Sequence, residues 1–179
     1  MNKIRFLVDS TSSLTKEKAD ELGVTLLPTM FVLEGEEKNP IDPGFTLDEF
    51  YAMLYEKKVG TACINQYTFE NAFRSYLEQG EDVLFFCLSS GLSASYTNAV
   101  NAANALNEEF GERVAIIDPL TAGLGMQFFI DEAMLLAKEG KSVKEIQSKI
   151  DKNGINTSTY FTIGNLEHLY RGGRLNKAE

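Results

Sequence analysis

Apolar residues concentrate in three runs, Ile4 to Val8, Val83 to Leu88 and Val114 to Ile117. The second run has no polar residue in it and no alternation, which is the pattern of a strand covered on both faces. Between the runs the spacing changes to three and four. Leu92, Tyr96, Ala99, Val100, Ala103, Leu106 and Phe110 recur at that interval with Asn and Glu between them, which predicts an amphipathic helix. Two further helices announce their starts. Thr46-Leu-Asp-Glu49 and Ser142-Val-Lys-Glu145 both have the capping-box arrangement of a hydroxyl followed three residues later by a glutamate. Leu47, Phe50, Tyr51 and Leu54 form the predicted core-facing stripe of the first; Val143, Ile146 and Ile150 form that of the second.

Strands alternating with helices predict an α/β fold, a mainly parallel sheet with helices on both faces and right-handed crossovers. From about Gly154 the pattern breaks. Ile155 to Ile163 is rich in Thr and Tyr and reads as a strand of a different sheet, followed by a short helix and Arg171-Gly-Gly-Arg174. The expected organisation is therefore an α/β domain over residues 1–153 and, over 154–179, the beginning of a second, truncated α/β domain. The last 25 or so residues are too few for a core of their own.

Composition narrows the function. A formal net charge of −9 disfavours nucleic acid, and the one basic cluster, Arg171, Arg174 and Lys177, suits a small anion better than a phosphate backbone. Cys63 and Cys87 have neither metal-ligand nor disulfide spacing, which fits a reducing compartment. The first run is too short for a signal peptide or a membrane span, so a soluble, cytoplasmic protein is expected.

In open α/β sheets ligands bind beyond the carboxyl ends of the strands. Here those ends read Asp9-Ser10-Thr11-Ser12-Ser13, Ser89-Ser90-Gly91-Leu92-Ser93-Ala94-Ser95 and Asp118-Pro119-Leu120-Thr121. Any one of these hydroxyls is explained by helix capping. Together they describe a donor-rich edge suited to a carboxylate or a phosphate oxygen, without choosing between them. Other chemistries have weaker support. Gly123-Leu-Gly125 opens like a dinucleotide fingerprint, but Phe128 occupies the third glycine's place and no complete Walker sequence is present. His168 is the sole histidine, so a nitrogen and sulfur metal site is not expected. No serine sits in a nucleophile elbow. Asp9 and Asp118 are candidates for an acid/base or Mg²⁺ pair, although single aspartates after strands more often hold turns.

Four stretches, in this order, resemble the DegV family, which includes the fatty-acid-binding subunits of bacterial fatty acid kinases. They are Val8 to Leu14, Ser89 to Tyr96, Asp118 to Gly125, and Leu169 to Leu175. The resemblance implies a non-catalytic carrier that buries a long-chain fatty acid between two domains and holds its carboxylate on hydroxyls. It also implies a partner, an ATP-dependent kinase subunit that phosphorylates the carboxylate, with transient membrane contact and no cofactor on the carrier. Carried over by position, Thr61 and Ser93 are the carboxylate ligands. Ser10, Thr11, Ser89, Ser90, Asp118 and Thr121 furnish the surrounding polar loops, and Arg171 and Arg174 are candidates for the head group or its phosphate. The sequence departs from the family pattern at Ala62-Cys63-Ile64-Asn65, where the family has Ser-Gln-Pro-Ser, and at Ala94-Ser95, where it has Gly-Thr. The histidine that the family places at the carboxylate has no counterpart in His168. A degenerate relative that binds another small anion, or acts as an interaction module, is the alternative these departures leave open.

Overall fold

The computed structural model describes residues 2–154 and 158–176. The first run forms β1 (Ile4–Asp9), a single 3₁₀ turn follows it, and α1 (Lys16–Leu22) leads into β2 (Val24–Leu27). The second and third runs form β6 (Asp82–Phe86) and β7 (Val114–Ile117). These four strands make a parallel sheet in the order β2-β1-β6-β7, with Phe6 opposite Leu84 and Phe85 opposite Ile116.

Each central strand is buried on both faces, and successive residues divide between two cores. On one face Val8, Leu84, Phe86, Ala115 and Ile117 pack under α1, α5 (Gly125–Lys138) and α6 (Val143–Gly154). On the other Leu7, Val83, Phe85, Cys87, Val114 and Ile116 pack under α3 (Gln66–Leu77) and α4 (Ser95–Phe110). This is the expected α/β sandwich, and the absence of alternation in the runs follows from it. The capping box at Ser142 forms, with its amide donating to the Glu145 carboxylate at 2.9 Å and the Glu145 amide to its hydroxyl at 3.3 Å.

Between β2 and α3 the chain leaves the sheet to build a small lobe: β3 (Phe31–Leu33), β4 (Glu36–Lys38), α2 (Leu47–Glu56) and β5 (Val59–Thr61). Its strands are antiparallel in the order β4-β3-β5, with Phe31 opposite both Lys38 and Thr61. Phe31, Phe45 and Phe50 supply its apolar centre, with ring centroids 5.3 to 6.1 Å apart. The stripe expected on α2 is only half realised. Phe50 and Leu54 are part-buried, whereas Leu47 and Tyr51 are exposed, with nothing among the described residues covering them.

The strand expected over 155–163 does not form in its described part. Residues 155–157 lie outside the described residues, and 158–163 pair with neither sheet. Tyr160 is 93% exposed and Phe161 72%, so the β-prone side chains meet no neighbouring strand that would hold them extended. The short helix that follows is α7 (Glu167–Arg171).

Candidate functional site

The carboxyl ends of β1, β6 and β7 open on one edge, and the loops there are fastened to one another by buried polar groups. Asp9 is fully buried. It takes hydrogen bonds from the Thr11 amide at 2.9 Å, from the Thr11 hydroxyl and from the Leu88 amide, so it closes the turn after β1 and ties it to the end of β6. Burial pushes its carboxyl above the usual range against these donors. Asp118 accepts from the Ser90 amide at 3.2 Å and the Leu120 amide at 3.1 Å. Asp9 therefore holds its loops with both oxygens, whereas Asp118 takes both of these donors on Oδ1. Cys87 is fully buried, and desolvation followed by the charges of Asp9 and Asp118 raises its thiol far above the ordinary value, which leaves it a packed hydrophobe.

The other hydroxyls divide between fastening and presentation. Ser10 accepts from the Thr29 amide at 2.9 Å and anchors the root of the lobe. Ser89 is buried; its hydroxyl accepts from Gly91 at 3.3 Å and its carbonyl from the Leu92 and Ser93 amides at 2.9 and 3.2 Å. Thr121 is buried against the Thr159 hydroxyl, and its carbonyl accepts from the Ser89 amide at 3.2 Å. Two glycines that resembled a nucleotide fingerprint have local causes here. Gly123 has φ of 64° and donates to the Thr11 carbonyl at 2.9 Å, while a Cβ on Gly125 would stand 2.7 Å from the Thr121 hydroxyl.

Thr61 ends β5 at the exposed rim of the lobe, and its hydroxyl makes no hydrogen bond among the described residues. Ser93 is half-buried in the loop before α4. The two loops meet at Ile64, whose amide donates to the Ser95 hydroxyl at 3.1 Å and whose carbonyl accepts from the Asn98 side chain at 2.9 Å. Ser95 in turn lies 3.1 Å from the Ser93 hydroxyl. α4 is 16 residues long and has no side-chain cap, since Ala94 occupies the cap position. Its first amide, that of Ser95, donates to Ser93 Oγ at 3.2 Å, so the helix starts against the Ser93 loop.

Arg174 and Arg171 part company. Arg174 donates to the Leu92 carbonyl at 3.4 Å and to the Gly172 carbonyl, and with Ser90 to Ala94 it borders an open groove of about 630 Å³. Arg171 is paired with Glu167 on its own helix and does not line that groove. Lys177 and the His168 side chain lie outside the described residues. Around the edge, Leu92, Leu120, Leu124 and Phe128 expose between 43% and 74% of their surface. Ser95 and Asn98 escaped the sequence reading as fasteners. The available signal was their spacing of three on one face of α4, beside an unusual loop.

A parallel α/β sandwich with hydroxyl-rich loops gathered at the carboxyl edge of its sheet defines the class. The particular family follows from comparison with known proteins: residues 3–179 match the family model described as "Uncharacterised protein, DegV family", and the chain belongs to that family. A DegV domain-containing protein of Clostridium perfringens is 32% identical over 178 residues, covering 98% of this chain and 61% of the relative. The chain therefore spans about three-fifths of the length of the curated relatives it matches. Among solved structures, a DegV family protein from Thermus thermophilus described by its fatty acid binding superposes with a TM-score of 0.80 at 28% identity, over 98% of this chain and 62% of that one. A stearic acid-binding protein from Eubacterium ventriosum gives 0.78 at 27% identity, over 100% and 62%. No helix among the described residues is long and apolar enough to cross a membrane.

Proposed function

We propose that this chain holds a long-chain fatty acid, with the carboxylate on the hydroxyls of Thr61 and Ser93, and presents it to an ATP-dependent kinase partner that forms the acyl phosphate. The observation that carries the reading is the joint made by Ile64, Ser95 and Ser93. It fastens the Thr61 loop to the uncapped start of α4. A carboxylate there meets hydroxyl donors and the positive end of a helix dipole, which together offset the several kcal/mol that desolvating it costs. Arg174, at the rim of the adjoining groove, supplies the charge that a phosphorylated head group would favour.

The binding of fatty acid by relatives at 27 and 28% identity supports the choice of an acyl carboxylate over another small anion. The exposed Leu92, Leu120, Leu124 and Phe128 offer apolar surface beside the head-group position. We read residues 154–179 as the entry to a second domain that covers the acyl chain, a reading supported by the unpaired course of 158–163 outside both sheets. In this scheme the chain is a binding subunit and the partner supplies nucleotide and metal, in keeping with a sequence that has no complete Walker motif.

Titration with a fluorescent fatty acid tests the head-group assignment. Hydrogen bonds to a charged group contribute about 1.5–3 kcal/mol, so Thr61→Val and Ser93→Ala should each weaken binding about tenfold or more with the melting curve preserved. Unchanged affinity in the double variant rejects these two ligands.

A further inference from the structure

Ser95 is the first residue of α4 and only 2% exposed, yet its hydroxyl has no capping task. Its Oγ accepts from the Ile64 amide at 3.1 Å and from the Ser93 hydroxyl at 3.1 Å, and its own amide donates to Ser93 Oγ at 3.2 Å. A hydroxyl has one proton to give and two lone pairs to fill. The Ile64 amide fills one lone pair of Ser95. In the structure Ser93 is the donor of this bond; a carboxylate that takes the Ser93 proton requires the opposite sense, with Ser95 donating. In the reversed sense Ser93 Oγ accepts twice, from the amide and the hydroxyl of Ser95. Its proton then has to point away from Ser95, to the side where the groove opens between the 90–94 loop and Arg174.

We propose that Ser95 is a positioning residue of the head-group site. It locks Ser93 as a donor when a carboxylate is present, through the chain Ile64 N–H to Ser95 O–H to Ser93 O–H to carboxylate. The inference rests on the fatty-acid reading above. Donors aligned in series polarise one another, so the last bond in the chain, the one to the anion, is strengthened by those behind it. The chain also begins in the Thr61 loop, so the placement of one ligand loop sets the proton direction of the other. An alcohol head group, which can donate as well as accept, needs no such fixed donor and gains little from the relay.

The test is competitive displacement of a fluorescent fatty acid by palmitate and by hexadecanol, with wild type, Ser95→Ala, Ser95→Thr, Ser93→Ala and the Ser93→Ala/Ser95→Ala pair. Ser95→Ala should weaken palmitate about fivefold to tenfold, the scale of one neutral hydrogen bond, and hexadecanol less than about twofold. Ser95→Thr, which keeps the hydroxyl, should restore palmitate. In the Ser93→Ala background Ser95→Ala should add nothing, because the relay acts through Ser93. Equal losses for both ligands mark a merely structural serine and overturn the inference, as do additive losses in the pair. If wild type binds palmitate and Ser95→Ala binds it equally well, the inference alone falls. If wild type binds no palmitate, the carrier reading falls and the relay with it.

Discussion

Asp9 has two carboxylate oxygens and three donors around them, two from Thr11 and one from Leu88. Asp9→Asn keeps the shape but turns an amide NH₂ towards one of those donors, and an unpaired buried donor costs about 1–3 kcal/mol. The loss should depend on pH. Burial holds the folded carboxyl above its ordinary value, so the folded state keeps this proton to a higher pH than the unfolded chain does. The contribution of Asp9 is complete below the unfolded value, about 3.9, and declines as pH rises through the folded one. Urea midpoints should therefore separate wild type from Asp9→Asn more at about pH 4 than at about pH 7. A gap that widens towards neutral pH contradicts the assignment. At this scale the sequence was readable for kind and not for use. Ser10, Ser89 and Thr121 were visible as hydroxyls at strand ends, but a fastener and a ligand present the same atoms, and only the partners of each distinguish them. Arg171 and Arg174 were equivalent in the motif until Glu167 claimed the first.

Among the elements, the start of α5 shows how tightly the edge is assembled. The Gly125 Cα stands over Thr121, whose hydroxyl is fixed by Thr159 and whose β-branched side chain has little freedom. Gly125→Ala should destabilise by about 1–3 kcal/mol through that overlap, and Thr121→Ala in the same chain should return most of it. Thermal melts of the three variants decide this; a Gly125→Ala protein as stable as wild type shows that the helix start is not constrained there. The runs of β1, β6 and β7 were legible because a strand buried on both faces leaves a continuous apolar signature. β2 was not, since at the sheet edge its residues after Val24 are only partly buried. The three-residue strands of the lobe were illegible for a different reason: their pairing with one another, Phe31 with Lys38 and with Thr61, is set by contacts across the sequence. Residues 158–163 form no strand because β-propensity describes a side chain's fit to a sheet, and neither sheet among the described residues takes them in.

For the molecule as a whole, the sandwich places the strand ends on one edge, and the loop that follows Thr61 is joined through Ile64 to the start of α4 there. A cargo held there by its head and buried along its tail has a characteristic length dependence. Each added methylene should improve affinity by about 0.8 kcal/mol, or about fourfold, across a saturated series until the available surface is filled. Affinity that ignores tail length points instead to a site for small anions. Whether the cargo is a fatty acid is decided by native mass spectrometry of the purified chain, followed by extraction and identification of what it carries. One fatty acid per chain, lost in the Thr61→Val/Ser93→Ala variant, is the expected result. A chain that carries no lipid, and takes none up when long-chain fatty acids are supplied, contradicts it.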